Sequence, residues 1–305
     1  MKKSIKKITV LMGGWSHERE VSLESGECVS GILKKMDYEV FKLDVKKDLK
    51  YITEELYKSD PDFVFNLLHG AGGEDGIIQG ILEIFGRPYS NSSVLSSSIC
   101  FNKAICKQLA KISGVNVIGG FEINQNEIQK LGTEIPIRYP FVVKPTANGS
   151  SFGVFLIFNE ADLERLKNTE WIWGADVLVE DYIAGREFTV LVIEGQAIGT
   201  VEITYKNQFY DYQSKYEIGG SSHISRFELA QESTKDMYTM AEKVYKVCKC
   251  KGIARADFRY DNEKIYFMEM NTQPGMTELS LVPDIARLNN ISLEELLDLS
   301  ICVAP

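Results

Sequence analysis

The apolar positions of this chain switch repeatedly between two periods. "KKITVLMGG" is a short apolar run ending in two glycines, which predicts a strand and its turn. "HEREVSLESGECVSGILKK" follows, with Val21, Cys28, Val29, Ile32 and Leu33 spaced for one face of a helix. "DFVFNLLHGAGGEDGIIQGILEIFG" repeats the order of strand, glycine-rich turn and helix. Strand–helix alternation predicts a parallel sheet with ligands at the strand ends, and we read residues 1–100 as one α/β unit.

The pattern then changes to α+β. "SSSICFNKAICKQLAKISG" reads as one helix closed by Gly114, "YPFVVKP" and "VFLIF" as strands around the loop "TANGSSFG", "NEADLERLKN" as a helix capped by Asn159, and "DVLVEDYI" as a further strand. This second unit spans residues 101–182. Residues 183–305 form a third. It has a hairpin turning at Glu194-Gly195, a polar, aromatic loop "YKNQFYDYQSKYEIGGSSHIS", a helix "KDMYTMAEKVYKVCKC", and two strands, "GIARADFRY" and "KIYFMEMN". "SLEELLDLSICV" closes it as a helix capped by Ser292.

Composition narrows the class. The 305 residues are 44% hydrophobic and 25% charged, which is globular, and the net charge of −9 argues against a bulk nucleic-acid binder. No apolar run reaches the ~18 residues of a membrane span, and Ile8–Met12 is too short for the core of a signal peptide. The six cysteines form no C-x-x-C pair and there are only three histidines, so we expect free thiols in a reducing cytoplasm and no zinc site.

Several stretches carry chemistry. In "RADFR", Arg255, Asp257 and Arg259 share a strand face; in "FMEMN", so do Phe267, Glu269 and Asn271. A three-residue loop, 262–264, sets Asp257 opposite Glu269 and Arg255 opposite Asn271, whereas a two-residue loop puts them on opposite faces. In the first register the oxygens suit Mg²⁺; an ordinary ion-pair network is the competing reading. "KPTANGSSFG" offers backbone N–H groups and the Ser150 and Ser151 hydroxyls to a phosphate, or is a plain flexible loop. Lys144 ends an apolar strand and needs an anion if buried, while Lys103 on a helix could simply snorkel. Glu180 and Glu187 flank a polar strand end, Glu18 opens a helix, and His69 sits at the C-terminal end of a strand.

The order of these stretches adds more than any one of them. "LMGGWSHEREVSLESG", "LLHGAGGEDGIIQG", "KPTANGSSFGV", "VEDYIAGREFTV", "YDYQSKY", "RADF" and "MEMNTQPGMTELSLVP" together closely resemble the D-alanine–D-alanine ligases of the ATP-grasp superfamily, from about residue 8 to residue 300. The resemblance implies an ATP-grasp fold behind an N-terminal Rossmann-like domain, and ATP-driven joining of two D-alanines for peptidoglycan synthesis in the cytoplasm. By motif it implies that Lys103, Lys144, Glu180 and Glu187 hold the nucleotide, that Ser150 and Ser151 cover its phosphates and that Lys215 reaches the γ-phosphate. Asp257, Glu269 and Asn271 would hold two Mg²⁺ or Mn²⁺ ions. Glu18 would hold the first D-alanine with His69 nearby, and Glu18, Ser150 and Tyr216 would form a triad closing the loop. Arg255 and the Gly275 N–H would stabilise the oxyanion, and Ser280 with Leu281 would hold the second D-alanine. A homodimer is implied by the family alone, and room is left for a monovalent cation.

Tyr216 favours the dipeptide product over an ester, since ligases that make D-alanyl-D-lactate tend to carry Phe there. The chain departs from the family pattern at Asn102, at "YSNSSV" and at "ISRFEL" after His223. A ligase with D-serine or D-lactate as second substrate is the neighbouring reading. A non-catalytic nucleotide binder would be expected to have lost some of Lys144, Arg255, Asp257, Glu269 and Asn271, and all five are present.

Overall fold

β1 (Lys7–Gly13) is the middle strand of a parallel three-stranded sheet, flanked by β2 (Glu39–Val45) and β3 (Phe63–Asn66). The molecule is seen in a computed structural model that describes residues 5–205, 221–224, 229–277 and 280–302. α1 (Arg19–Lys35) and α2 (Leu49–Ser59) make the crossovers, and α3 (Ile77–Phe85) follows β3, as the alternating pattern predicts. Every residue of β3 is buried, which its unbroken apolar run requires.

The second sheet is antiparallel, in the order β4–β7–β5–β6. Its strands are β4 (Gly120–Asn124), β5 (Phe141–Pro145), β6 (Phe155–Ile157) and β7 (Asp176–Asp181). α6 (Glu160–Lys167) covers it with Leu163 and Leu166, and Asn159 caps α6 by accepting from the Asp162 N–H. The "TANGSSFG" loop joins β5 to β6.

The third sheet contains β8 (Arg186–Ile193), β9 (Gln196–Tyr205), β10 (Ser221–Ile224), β11 (Ile253–Tyr260) and β12 (Ile265–Asn271), in the order β10–β9–β8–β11–β12. β8 and β9 turn at Glu194-Gly195, both at positive φ (48° and 80°), as tight hairpins demand. On β8 the period of two divides the strand cleanly. Phe188, Val190 and Val192 pack under α4 (Val94–Phe101), α5 (Lys103–Ile112) and α7 (Gln231–Val247). The other face carries Leu191 and Ile193 into a core shared with β1, β3, α8 (Leu281–Leu288) and α9 (Leu293–Cys302). Further along that second face stand Glu187 and Thr189, so one strand face runs from core into functional cleft.

The single helix expected over 96–114 is two helices. Asn102 breaks it with extended backbone (ψ 101°), and its Oδ1 accepts from the Ile105 N–H at 2.9 Å to cap α5. Gly114 closes α5 at positive φ as expected. Although α4 and α5 precede β4 in the chain, they pack on β12 of the third sheet. Ser292 and Glu295 form a reciprocal capping box at the start of α9. Among the described residues no helix is long and apolar enough to cross a membrane.

Candidate active site

The β11–β12 hairpin sets the geometry. Asp257 pairs with Glu269 and Arg255 with Asn271, the register on which a cation site depends. The route to it differs from the expected three-residue loop. Ladder pairing resumes only at Tyr260 and Ile265, which leaves four residues, 261–264, in the turn. Four alone would set Asp257 against Met268 and turn Glu269 to the other face. A bulge between Asp257 and Phe258 absorbs one residue of β12 and restores the pair. The bulge also corrects the expected face of Phe267. It is fully buried against Phe258 in the core under α5, while Met268 and Glu269 both line the cleft.

The cleft lies between the second and third sheets and opens to solvent. Ile118, Val142, Leu156 and Met268 supply an apolar lining, and Lys103, Lys144, Glu180, Glu187, Asp257 and Glu269 a charged one. Lys103 Nζ donates to the Asn148 carbonyl at 2.5 Å and lies 3.2 Å from Glu269 Oε2. Its backbone N–H bonds to Thr146 O, which pins the start of α5 to the end of β5. Glu180 is almost fully buried. Lys144 Nζ lies 2.6 Å from its Oε2, and Lys107 meets its Oε1. Burial disfavours the Lys144 ammonium and Glu269 favours it; with Lys103 also opposing, the pKa is pushed down to about 8. Burial and the neighbouring Lys144 drive Lys107 well below the ordinary lysine value. Lys107 was missed in the sequence, though it stands four residues after Lys103, on the same helix face.

Asp257 accepts both Arg255 Nε (2.9 Å) and Nη2 (2.7 Å), and Thr189 Oγ1 at 2.6 Å. Arg259 Nη1 donates to Glu187 Oε2 at 3.1 Å and also binds the Ile183 and Gly185 carbonyls, fixing the turn before β8. Asn271 Oδ1 accepts from the Gln273 N–H at 2.8 Å and so shapes the exit of β12. The two opposed carboxylates and one amide oxygen are hard donors of the kind that fit Mg²⁺ or Mn²⁺.

Ser150 Oγ donates to Glu18 Oε1, joining the β5–β6 loop to the start of α1. The contact depends on Gly149, where a Cβ would stand 2.2 Å from Glu18 Oε2. Around Glu18 the "GGWSHERE" stretch is knitted together by residues the sequence did not single out. Ser16 Oγ accepts from the Glu18 N–H and donates to His69 O. Arg19 makes a two-pronged pair with Asp44 (2.7 and 2.8 Å), and Ser22 Oγ bridges Gly13 N–H and Leu67 O. His69 is buried with Nδ1 3.4 Å from Glu74 Oε1. Burial opposes its charged form, but Glu74 and Glu18 outweigh this and raise its pKa above the ordinary value. Its Nε2 makes no hydrogen bond within the described residues, and the Gln273 backbone adds a smaller push in the same upward direction.

Beyond β12, Gln273 is buried and ties three segments together. Its Oε1 accepts from Asn91 Nδ2 at 2.7 Å and its Nε2 donates to Asn66 O. Ser280 Oγ accepts from the Thr277 N–H at 3.1 Å, and Gly275 lies so close that a Cβ there would meet Ser280 Oγ at 2.8 Å. Leu281 turns its side chain into the core at the first turn of α8. The structure therefore brings Lys103, Lys144, Ser150, Ser151, Glu180, Glu187, Asp257 and Glu269 to one cleft. Glu18 reaches it through Ser150, and Arg255 through Asp257. Lys215 and Tyr216 lie outside the described residues, as do Ser225 and Arg226.

Comparison with known proteins gives the family. Residues 115–301 match the family model described as D-ala D-ala ligase C-terminus. The chain is 42% identical over 300 residues to the D-alanine–D-alanine ligase of Brucella anthropi, covering 96% of each. The chain belongs to the D-alanine–D-alanine ligase family. Its structure superposes on the Bacillus anthracis D-alanine–D-alanine ligase complexed with ATP with a TM-score of 0.81, at 32% identity and 97% and 96% coverage. The VanG D-Ala:D-Ser ligase of Enterococcus faecalis gives 0.82 at 27% identity, with 98% and 99% coverage. With the family comes the ATP-grasp fold.

Proposed function

We propose that this protein joins two D-alanines into D-alanyl-D-alanine, cleaving ATP to ADP and phosphate by way of a D-alanyl phosphate. The observation that carries the reading is the Ser150–Glu18 bond. It ties the loop suited to phosphates to the helix start suited to an amino acid, so the two reactants of the first step meet at one place.

In this reading the units 1–100, 101–182 and 183–305 divide the work, with α4 and α5 docked on the third. The adenine lies against Val142, Leu156 and Met268, with Glu180 at the base and Glu187 at the ribose. Lys103 and Lys144 meet the phosphates under Ser150 and Ser151, and Lys215 reaches the γ-phosphate. Asp257, Glu269 and Asn271 would hold two Mg²⁺ or Mn²⁺ ions, which when bound would supply positive charge to the transferred phosphoryl group.

Glu18 takes the ammonium of the first D-alanine and His69, with its raised pKa, the carboxylate. A carboxylate is a poor acyl donor, and phosphorylation makes it a good one. The amine of the second D-alanine, placed by Ser280 and the Leu281 backbone, then attacks. Arg255 and the Gly275 N–H oppose the developing oxyanion. Tyr216 completes the closure with Glu18 and Ser150, which keeps water from the acyl phosphate. We place the reaction in the cytoplasm, in peptidoglycan synthesis, and propose a homodimer.

The fold similarity to a D-Ala:D-Ser ligase makes the second substrate the variable to test. ADP release is measured with Mg²⁺, D-alanine as first substrate, and D-alanine, D-serine or D-lactate as second. The expected result is fastest turnover with D-alanine alone. Preference for D-serine or D-lactate would replace the product, and no D-alanine-dependent ADP release would remove the reading.

A further inference from the structure

Four cysteines from separate stretches of chain converge behind β12. Cys100 lies in the last turn of α4, Cys106 on α5, Cys248 caps the C-terminus of α7, and Cys250 follows two residues later. All four are buried. The sulfurs of Cys100, Cys106 and Cys248 lie within 4.8 Å of one another. Cys106 and Cys248 approach to 4.0 Å, and Cys250 stands 3.7 Å from Cys100. These contacts span 142 and 150 residues of sequence, so the absence of a C-x-x-C pair could not exclude them.

Cysteine can serve as a small apolar core residue, but packing alone gives no reason for four sulfurs to gather. Coordination does. A Zn–S bond of about 2.3 Å in a tetrahedron sets the S···S edge at about 3.8 Å. The 3.7 and 4.0 Å contacts bracket that edge, and both are far from the ~2.05 Å of a disulfide. The donor set is all sulfur, which selects a soft or borderline cation and rejects Mg²⁺. We propose that Cys100, Cys106 and Cys248, with Cys250 beside Cys100 as the fourth sulfur, form a structural site for a thiophilic cation, with Zn²⁺ as the ion.

The position gives the site a consequence. Cys106 stands on α5 between Lys103 and Lys107, and α5 packs against β12. Met270 lies in β12 between Glu269 and Asn271. An ion here joins α4, α5 and the end of α7 behind the strand that presents the carboxylates. It would fix the spacing of Lys103 and Glu269 without touching nucleotide.

The test is metal content. Full-length protein is produced in zinc-supplemented medium, purified under reductant without chelator, and analysed by elemental mass spectrometry. One equivalent of zinc is expected, and Co²⁺ added to the metal-free protein should give sulfur-to-cobalt charge-transfer bands with tetrahedral d–d bands. Zinc should be lost in Cys106→Ser and Cys248→Ser and kept in Cys28→Ser and Cys302→Ser. Because a core serine could prevent folding, Cys250→Ser, at the rim of the cluster, is the second variant. It should fold by circular dichroism and bind zinc at least tenfold more weakly. Reduced, folded wild-type protein that takes up neither zinc nor cobalt overturns the site. So does zinc retained at full affinity in folded serine variants, or an intact mass showing disulfides in place of metal.

Discussion

Asp257 stands opposite Glu269 across the β11–β12 hairpin because β12 carries one extra residue at that point. The bulge turns two successive side chains, Met268 and Glu269, into the same cleft. An apolar surface for a base and a carboxylate for a cation thus come from adjacent positions. Glu269→Gln keeps the size of the side chain and removes its charge. Turnover should fall by about 10²-fold or more, since cation-mediated stabilisation of phosphoryl transfer is worth several kcal/mol. The melting temperature should stay within a few degrees. Turnover near wild type at saturating Mg²⁺ would make Glu269 structural.

Lys144 should impose an alkaline limit on ATP binding. Its folded pKa is pushed down to about 8 from an ordinary value near 10.5. Between those two values the unfolded chain holds more protons than the native one. Native stability therefore rises with pH across that window, as the cost of a buried charge is relieved. Nucleotide binding should show the opposite slope, because the phosphates need the ammonium. A direct titration should find the ATP Kd constant below pH 8 and up to tenfold weaker per pH unit above it. Lys144→Arg should flatten that limb, even if overall affinity falls.

Ser150→Ala removes the hydroxyl that holds Glu18. A hydrogen bond to a charged group is worth about 1.5–3 kcal/mol. The KM for the first D-alanine should therefore rise about tenfold or more, with a smaller change for ATP. Gly149→Ala should be worse, because its Cβ would stand 2.2 Å from the Glu18 carboxylate and push the loop away. Initial-rate kinetics with each substrate varied in turn separate the two effects. An unchanged KM for D-alanine in Ser150→Ala would argue against a joint site.

His69 should register in a pH–stability profile. Its native pKa is raised above the ordinary 6.5. The charged imidazolium therefore contributes stability that is fully present below about pH 6.5 and is lost as pH rises through the native value. His69→Gln should remove that slope from a series of thermal melts. Parallel wild-type and variant curves from pH 6 to 9 would show that the pKa of His69 is the same in the native and unfolded states.

What could be read from the chain was local. The β1 and β3 runs, the Asn159 and Ser292 caps, and the Glu194-Gly195 turn each depend on residues a few positions apart, and the structure holds all of them. The pairing of Asp257 with Glu269 was also legible, though by a wrong turn length, because the strand's alternation breaks invisibly at Met268. The break of the 96–114 helix at Asn102 was hidden because the apolar period continues through it. The burial of Lys107 and the meeting of cysteines depend on which helix packs where, and helix periodicity does not carry that information. For the candidate site, the order of motifs named the residues, while the partners that set their charges came from packing.

Gln273 gives the protein a gauge. One end of its amide holds Asn91, the other holds the carbonyl of Asn66 at the end of β3, and its backbone leaves β12 beside Asn271. The first-substrate side and the start of the second-substrate loop are thus set apart by the length of a single side chain. Within the proposed reaction that length is the gap across which an amine must reach an acyl carbon. Shortening the gauge by one methylene, as Gln273→Asn would, should alter the product-forming distance without replacing any group that touches a substrate.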